Sequence, residues 1–221
     1  MNNEQSVLQQ AMRLCNKGDF AKAKKMLSEL IQIQTDDKNL MSEANRLLAQ
    51  ISVQEGNEEK AIDYGLDALV ANPKNEYALI LMGNLFMRKQ DYDVALSYYE
   101  KANEVAPNDL ISLNNIAAIK MQKGEIDDAL EYFDKVIVIE PSYYNAYYGK
   151  SSLLIEQNRI QEAFDTTLKG LLSGKARPED PKVYGELVKM MMFVSKDLAD
   201  KMNVYQIIDF EKKKCEDAWK V

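Results

Sequence analysis

Small residues return in this chain at a fixed step of 34. Ala61, Ala95, Ala129 and Ala163 form one ladder, and Ala23 stands 38 residues before its first rung. Ala11, Ala49, Gly83, Ala117 and Ser151 form a second, with steps of 38, 34, 34 and 34, and Pro73, Pro107 and Pro141 form a third at the same period. A unit of this length holds two helices and a turn, and it must stack on its neighbours to bury its apolar face. The ladders therefore constrain the chain to an array of helix pairs. Such an array makes a binding surface and not, by itself, a reaction site.

The spacing gives repeats at 4–37, 42–75, 76–109, 110–143 and 144–177, with four extra residues near Asp37–Met41. The third is the cleanest. Leu79, Met82, Gly83 and Phe86 mark its first helix, Tyr92, Ala95, Tyr99 and Ala102 its second, and Pro107 follows. These apolar residues recur at three- and four-residue steps, as one buried helical stripe requires. Small residues let two helices approach closely, and aromatic residues fill the space between hairpins. Gly18, Gly56 and Gly124 fall where a first helix ends, a place for left-handed backbone. Gln90-Asp91 and Asn158-Arg159 stand there in repeats three and five. Proline stops each second helix, and Asn75 and Asp109, two residues on, suit the N-cap of the next.

The Leu79-x-x-Met82-Gly83-x-x-Phe86 … Ala95-x-x-x-Tyr99 … Pro107 spacing resembles the tetratricopeptide repeat family, over about residues 4–177. The resemblance implies an all-α fold: a right-handed α-solenoid of helix-turn-helix repeats, the handedness carried over from the family. Several positions depart from its pattern. Lys120 replaces a large apolar residue in repeat four. Gly65 and Thr167 replace the usual large residue in repeats two and five, which suggests looser hairpin contacts there. Lys175 stands where a proline would close repeat five.

Residues 178–221 leave the period and are expected to form a C-terminal helical cap, because an open stack end leaves apolar surface in water. Pro178 and Pro181 bracket the break. Val183–Ala199 reads as an amphipathic helix with Leu187, Met191, Val194 and Leu198 on one stripe, and a last helix is expected over about Val204–Trp219. A sharper reading makes Met190-Met191-Met192-Phe193 an adaptable partner-binding patch. Homodimerisation through these C-terminal helices is a further alternative.

Composition narrows the function. The net charge of −7 disfavours nucleic acid and an anionic membrane as partners. Lys212-Lys213-Lys214 is flanked by Asp209, Glu211, Glu216 and Asp217 and reads as a solvated face. The longest strongly apolar run, Met190–Val194, is far short of a membrane span. Cys15 and Cys215 make no disulfide framework or metal spacing, and the N-terminus shows no signal peptide. A cytoplasmic protein fits these features. The chain contains no histidine, the commonest general base and metal ligand, and no phosphate-binding glycine loop. Asp36-Asp37 and Asp127-Asp128 read as helix-end charge. No catalytic residue, metal ligand or cofactor is assigned, and an enzyme is not expected.

The family resemblance implies that the first helix of each hairpin lines an inner, concave surface. Projected onto this sequence, that surface holds Arg46, Gln50 and Gln54 from repeat two, and Tyr77, Ile80, Asn84, Met87 and Arg88 from repeat three. Repeat four adds Ile111, Asn114, Ala118, Met121 and Gln122, and repeat five adds Asn145, Tyr148, Ser152 and Ile155. Amide side chains both donate and accept hydrogen bonds and can hold a peptide backbone without reading its sequence. Chaperone-binding members of the family hold a C-terminal carboxylate with lysine, arginine and asparagine. Asn84 and Asn115 match those asparagines, but Ile80, Asn145 and Gly149 stand where the cations belong, so this clamp is not expected. The sequence thus points to a non-catalytic scaffold or adaptor binding a protein, as an extended peptide or a helix. The alternatives are a self-assembling scaffold and the regulatory or targeting module of a larger enzyme.

Overall fold

The computed structural model describes residues 3–33, 36–173 and 181–198, excluding the side chains of 181–184 and 195–198. Among the described residues there are eleven α-helices and no strand. They are α1 (Asn3–Asn16), α2 (Phe20–Ile31), α3 (Lys38–Gln54), α4 (Glu58–Ala71), α5 (Glu76–Arg88), α6 (Tyr92–Val105), α7 (Leu110–Gln122), α8 (Ile126–Ile139), α9 (Tyr144–Glu156), α10 (Ile160–Ser173) and α11 (Pro181–Leu198). The fold is all-α and built of helix pairs. The chain divides into two compact units, Met1–Ser112 and Leu113–Val221, the division falling inside α7.

Six of the helix starts have a side-chain cap. Asp19, Asp37, Asn57, Asn75, Asp91 and Asp109 each accept a hydrogen bond from the backbone N–H three residues on, satisfying a donor that the helix leaves free. The four extra residues near Asp37–Met41 add one turn to α3, which runs for 17 residues where α5 has 13. The turns inside the pairs share one device. A residue in left-handed backbone follows the first helix, and the next N–H donates to the carbonyl five positions back. Asp19 reaches Leu14 at 2.9 Å, Asp91 reaches Phe86 at 3.0 Å and Arg159 reaches Leu154 at 2.8 Å. Gly18, Gly56 and Gly124 take that conformation without strain, while Gln90 (φ +60°) and Asn158 (φ +56°) take it despite their side chains.

Both ladders of small residues are buried without remainder. Ala11, Ala49, Ala117 and Ser151, and Ala23, Ala61, Ala95, Ala129 and Ala163, have no exposed surface, and Gly83 is buried with them. In the first unit one cluster joins α1, α2 and α3 through Ala11, Leu27, Leu30, Leu47, Leu48 and Ile51. A second packs Ala61, Met82 and Leu85 with Val53, Leu69, Phe86 and Tyr98.

Two expectations change at this level. Gly65 and Thr167 do not loosen their hairpins. The notch at Gly65 is filled from the next pair, by the Met82 thioether, which stands where a side chain at 65 would be. Thr167 is fully buried, donates to the Ala163 carbonyl at 2.8 Å and lies 2.9 Å from the Ser151 hydroxyl. Hydrogen bonds there replace the missing aromatic. Lys120 is held by ion pairs with Glu125 and, at 3.3 Å, with Asp128, so a charged bridge stands where an apolar contact is usual.

In the second unit α11 packs against α9 and α10. Leu187, Met191 and Val194 are buried as the stripe predicts, with Met191 and Val194 clustered against Phe164. The Met190–Phe193 patch is therefore divided. Met190 and Met191 face the cluster, while Met192 and Phe193 are 52% and 65% exposed. Lys175, Pro178, the expected last helix with Lys212-Lys213-Lys214 and Cys215, and the side chain of Leu198 lie outside the described residues.

Candidate functional site

The first helices α1, α3 and α5 are neighbours within the first unit, and α3 and α5 share a face. On that face the structure brings three of the expected residues, Arg46, Gln50 and Tyr77, into contact, and Asn84 lies farther along α5. The Arg46 guanidinium is held on α3 by Glu43, which accepts from Nε and Nη2 at 3.0 Å. Its Nη1 donates to Gln50 Oε1 at 3.2 Å. The same guanidinium lies over the Tyr77 ring of α5, 5.7 Å from its centroid, a cation–π contact. Asn84 stands two helical turns beyond Tyr77, and its Oδ1 accepts from the Tyr99 hydroxyl of α6 at 2.6 Å. Burial pushes the Tyr99 phenol well above its ordinary range, so it stays a donor.

Tyr77 remains 64% exposed, and Gln50, Asn84 and Arg88 are exposed, with Met87 half-buried beside them. Arg88 pairs with Glu58 at 2.9 Å. Ile80 is a correction. It is only 7% exposed and belongs to the core. An apolar side chain at the edge of the wall gains by turning inward, whereas Arg46 at the equivalent place in repeat two keeps its charge near water.

Glu43 and Glu58 are contributors that the repeat pattern misses, and Tyr99, marked by the pattern as a packing residue, also holds Asn84. Glu43 also accepts from Asn75 Nδ2 at 2.8 Å, and Asn75 donates to Ser42 Oγ at 2.8 Å. The N-cap of α5 is thereby joined to the guanidinium on α3. The spacing Glu43-x-x-Arg46-x-x-x-Gln50 is a legible signal for part of this network.

The second unit arranges its expected residues differently. Asn145 and Tyr148 are exposed, the latter by 40%, while Asn114, Met121 and Ser152 are half-buried. Asn114 Oδ1 is buried with no hydrogen-bond partner among the described residues. Among the described residues no hydrogen bond joins one of these five to another, whereas Arg46, Gln50 and Tyr77 on the α3–α5 face are connected. Among the described residues no cluster of acidic residues or cysteines could hold a metal, and no helix is long and apolar enough to cross a membrane.

The tetratricopeptide repeat family profile matches residues 8–76, 80–143 and 114–181, most of the chain. This chain is a tetratricopeptide repeat protein. No curated protein matches it by sequence. Solved structures share its fold at low identity. PilW, described as a widely conserved type IV pilus biogenesis factor, is 17% identical, with a TM-score of 0.73 over 93% of this chain and 91% of its own. PilF of Pseudomonas aeruginosa is 17% identical, with a TM-score of 0.69 over 94% and 97%. YrrB, described as a TPR protein with an unusual peptide-binding site, is 18% identical, with a TM-score of 0.64 over 83% and 90%. Tetratricopeptide repeat proteins are in general protein-interaction scaffolds and not catalysts, and this chain shares that architecture.

Proposed function

We propose that this tetratricopeptide repeat protein is a non-catalytic adaptor that binds an extended segment of a partner protein on the face shared by α3 and α5. The observation that carries the reading is the fixed Arg46. Three neighbours hold it, yet the Tyr77 ring beside it stays open to solvent. Interfaces draw most of their energy from such anchored tyrosine and arginine side chains. The peptide-binding site described for YrrB, a protein of similar fold, supports the class of ligand. Asn145 and Tyr148 extend the reading to the second unit as separate contacts. Two cysteines with no framework spacing support a reducing, cytoplasmic setting.

The test is selection of a random peptide library on the full chain, counter-selected on the Tyr77→Ala variant. Peptides enriched on the wild type alone are expected. Equal enrichment on both would move the site off this face. A second reading, self-association, rests on the exposed Met192 and Phe193 of α11. Sedimentation of wild type and Phe193→Asp decides it: a dimer lost in the variant supports it, and a monomer in both removes it.

A further inference from the structure

Three features of the α3–α5 face define the chemistry of what it takes. First, its amides have lost their ambivalence. The Gln50 carbonyl oxygen is occupied by Arg46 and the Asn84 carbonyl oxygen by Tyr99, while Gln50 Nε2 and Asn84 Nδ2 have no hydrogen-bond partner among the described residues. Arginine has no acceptor, so the first of these amide orientations is forced. The wall therefore presents donors and asks for acceptors. Second, its charge is balanced: Arg46 is matched by Glu43 and Arg88 by Glu58. Charge complementarity then favours an uncharged ligand over an acidic or basic one. Third, the exposed Tyr77 ring supplies an apolar plate.

We propose that this face takes an uncharged, proline-bearing segment in the extended polyproline conformation, an inference that rests on the reading of the face as a peptide site. Such a segment has carbonyls directed outward on every side and few N–H groups, which suits the outward donors of Gln50 and Asn84. Its pyrrolidine rings pack on an aromatic plate, and its stiffness lowers the entropy lost on binding. Gln50 and Asn84 donate to its carbonyls, and Tyr77 receives a ring.

The experiment measures fluorescence anisotropy of three labelled peptides, each about twelve residues long, about four turns of polyproline helix, on the full chain. They repeat Pro-Pro-Thr, Ala-Ala-Thr and Glu-Glu-Thr. The proline peptide is expected to bind, and the other two about tenfold or more weakly. Gln50→Glu and Asn84→Asp keep the acceptors that serve Arg46 and Tyr99 and exchange each outward donor for a carboxylate oxygen, which repels a carbonyl. Each is expected to weaken the proline peptide about tenfold with unchanged helical circular dichroism. Unchanged binding by both variants would overturn the inference. Binding of the alanine or glutamate peptide as tightly as the proline one, weakened by Tyr77→Ala, would leave the peptide site standing and overturn the proline preference. No binding by any of the three would overturn the proline inference and leave the peptide reading to the library selection.

Discussion

The Tyr99 ring of α6 fills the place that a side chain on Gly83 of α5 would need, its nearest atoms 2.7 Å from where a Cβ would stand. Tyr99 is fully buried, so the ring has nowhere to retreat. Gly83→Ala gains up to about 1 kcal/mol of helix propensity and loses about 1–3 kcal/mol to overpacking. A net loss is expected in urea unfolding. At Gly65 the obstructing atom belongs to the flexible Met82 side chain, so Gly65→Ala is expected to cost less. The reverse order would refute the packing described for these two notches.

Asn75 does more than cap a helix. It accepts from Ala78 N–H at 3.1 Å and donates to Ser42 and Glu43, and it is 7% exposed. Asn75→Ala removes the cap and strands polar partners, a loss of about 2–3 kcal/mol in thermal or urea unfolding. Asp91 caps α6 on an exposed turn at 3.4 Å, and Asp91→Ala should cost no more than about 1 kcal/mol. Equal losses would mean that the network around Asn75 adds nothing to its cap.

Gln90 occupies left-handed backbone with φ +60°. That conformation costs a residue with a side chain about 1–2 kcal/mol, and glycine escapes most of it at some cost in entropy. Gln90→Gly is therefore expected to raise stability by about 0.5–1 kcal/mol, and Gln90→Ile to lower it. Differential scanning calorimetry reads both, and a lower melting temperature for the glycine variant would contradict the turn geometry.

Stability should fall on the alkaline side. Burial pushes the Tyr99 and Tyr147 phenols up, and the hydrogen bond with Glu125 pushes the Lys120 ammonium up. Each group holds its proton longer in the folded state. Its contribution is therefore complete below the ordinary value and is lost as pH rises past about 10. Urea midpoints measured from about pH 8 to pH 11 should decline, and Tyr99→Phe should flatten the decline. A Tyr99→Phe profile parallel to wild type would remove that phenol from the linkage.

The helix pairs are legible in the sequence because small residues repeat wherever two backbones must touch. Ala95 and Ala129 announce such contacts at a fixed interval, and both are fully buried. Contacts between residues with no fixed interval stay hidden. Met82 reaching into the notch at Gly65 joins different helix pairs, and Tyr77 under Arg46 joins α5 to α3. Family position alone places Ile80 on the wall beside Arg46. Only the surrounding packing decides that one turns inward and the other is pinned at the surface. The donor polarity of Gln50 and Asn84 is equally invisible in the sequence, since an amide reads as donor and acceptor until its oxygen finds a partner.

The bonds that Glu43 accepts from Asn75 and from Arg46 tie the start of α5 to the guanidinium that α3 displays. The step that seats one hairpin on the next is therefore also the step that aims the wall. A ligand meets side chains already immobilised, so little of its binding energy is spent on ordering them. Damage at this joint should surface first as slack recognition in a chain whose helices still look intact.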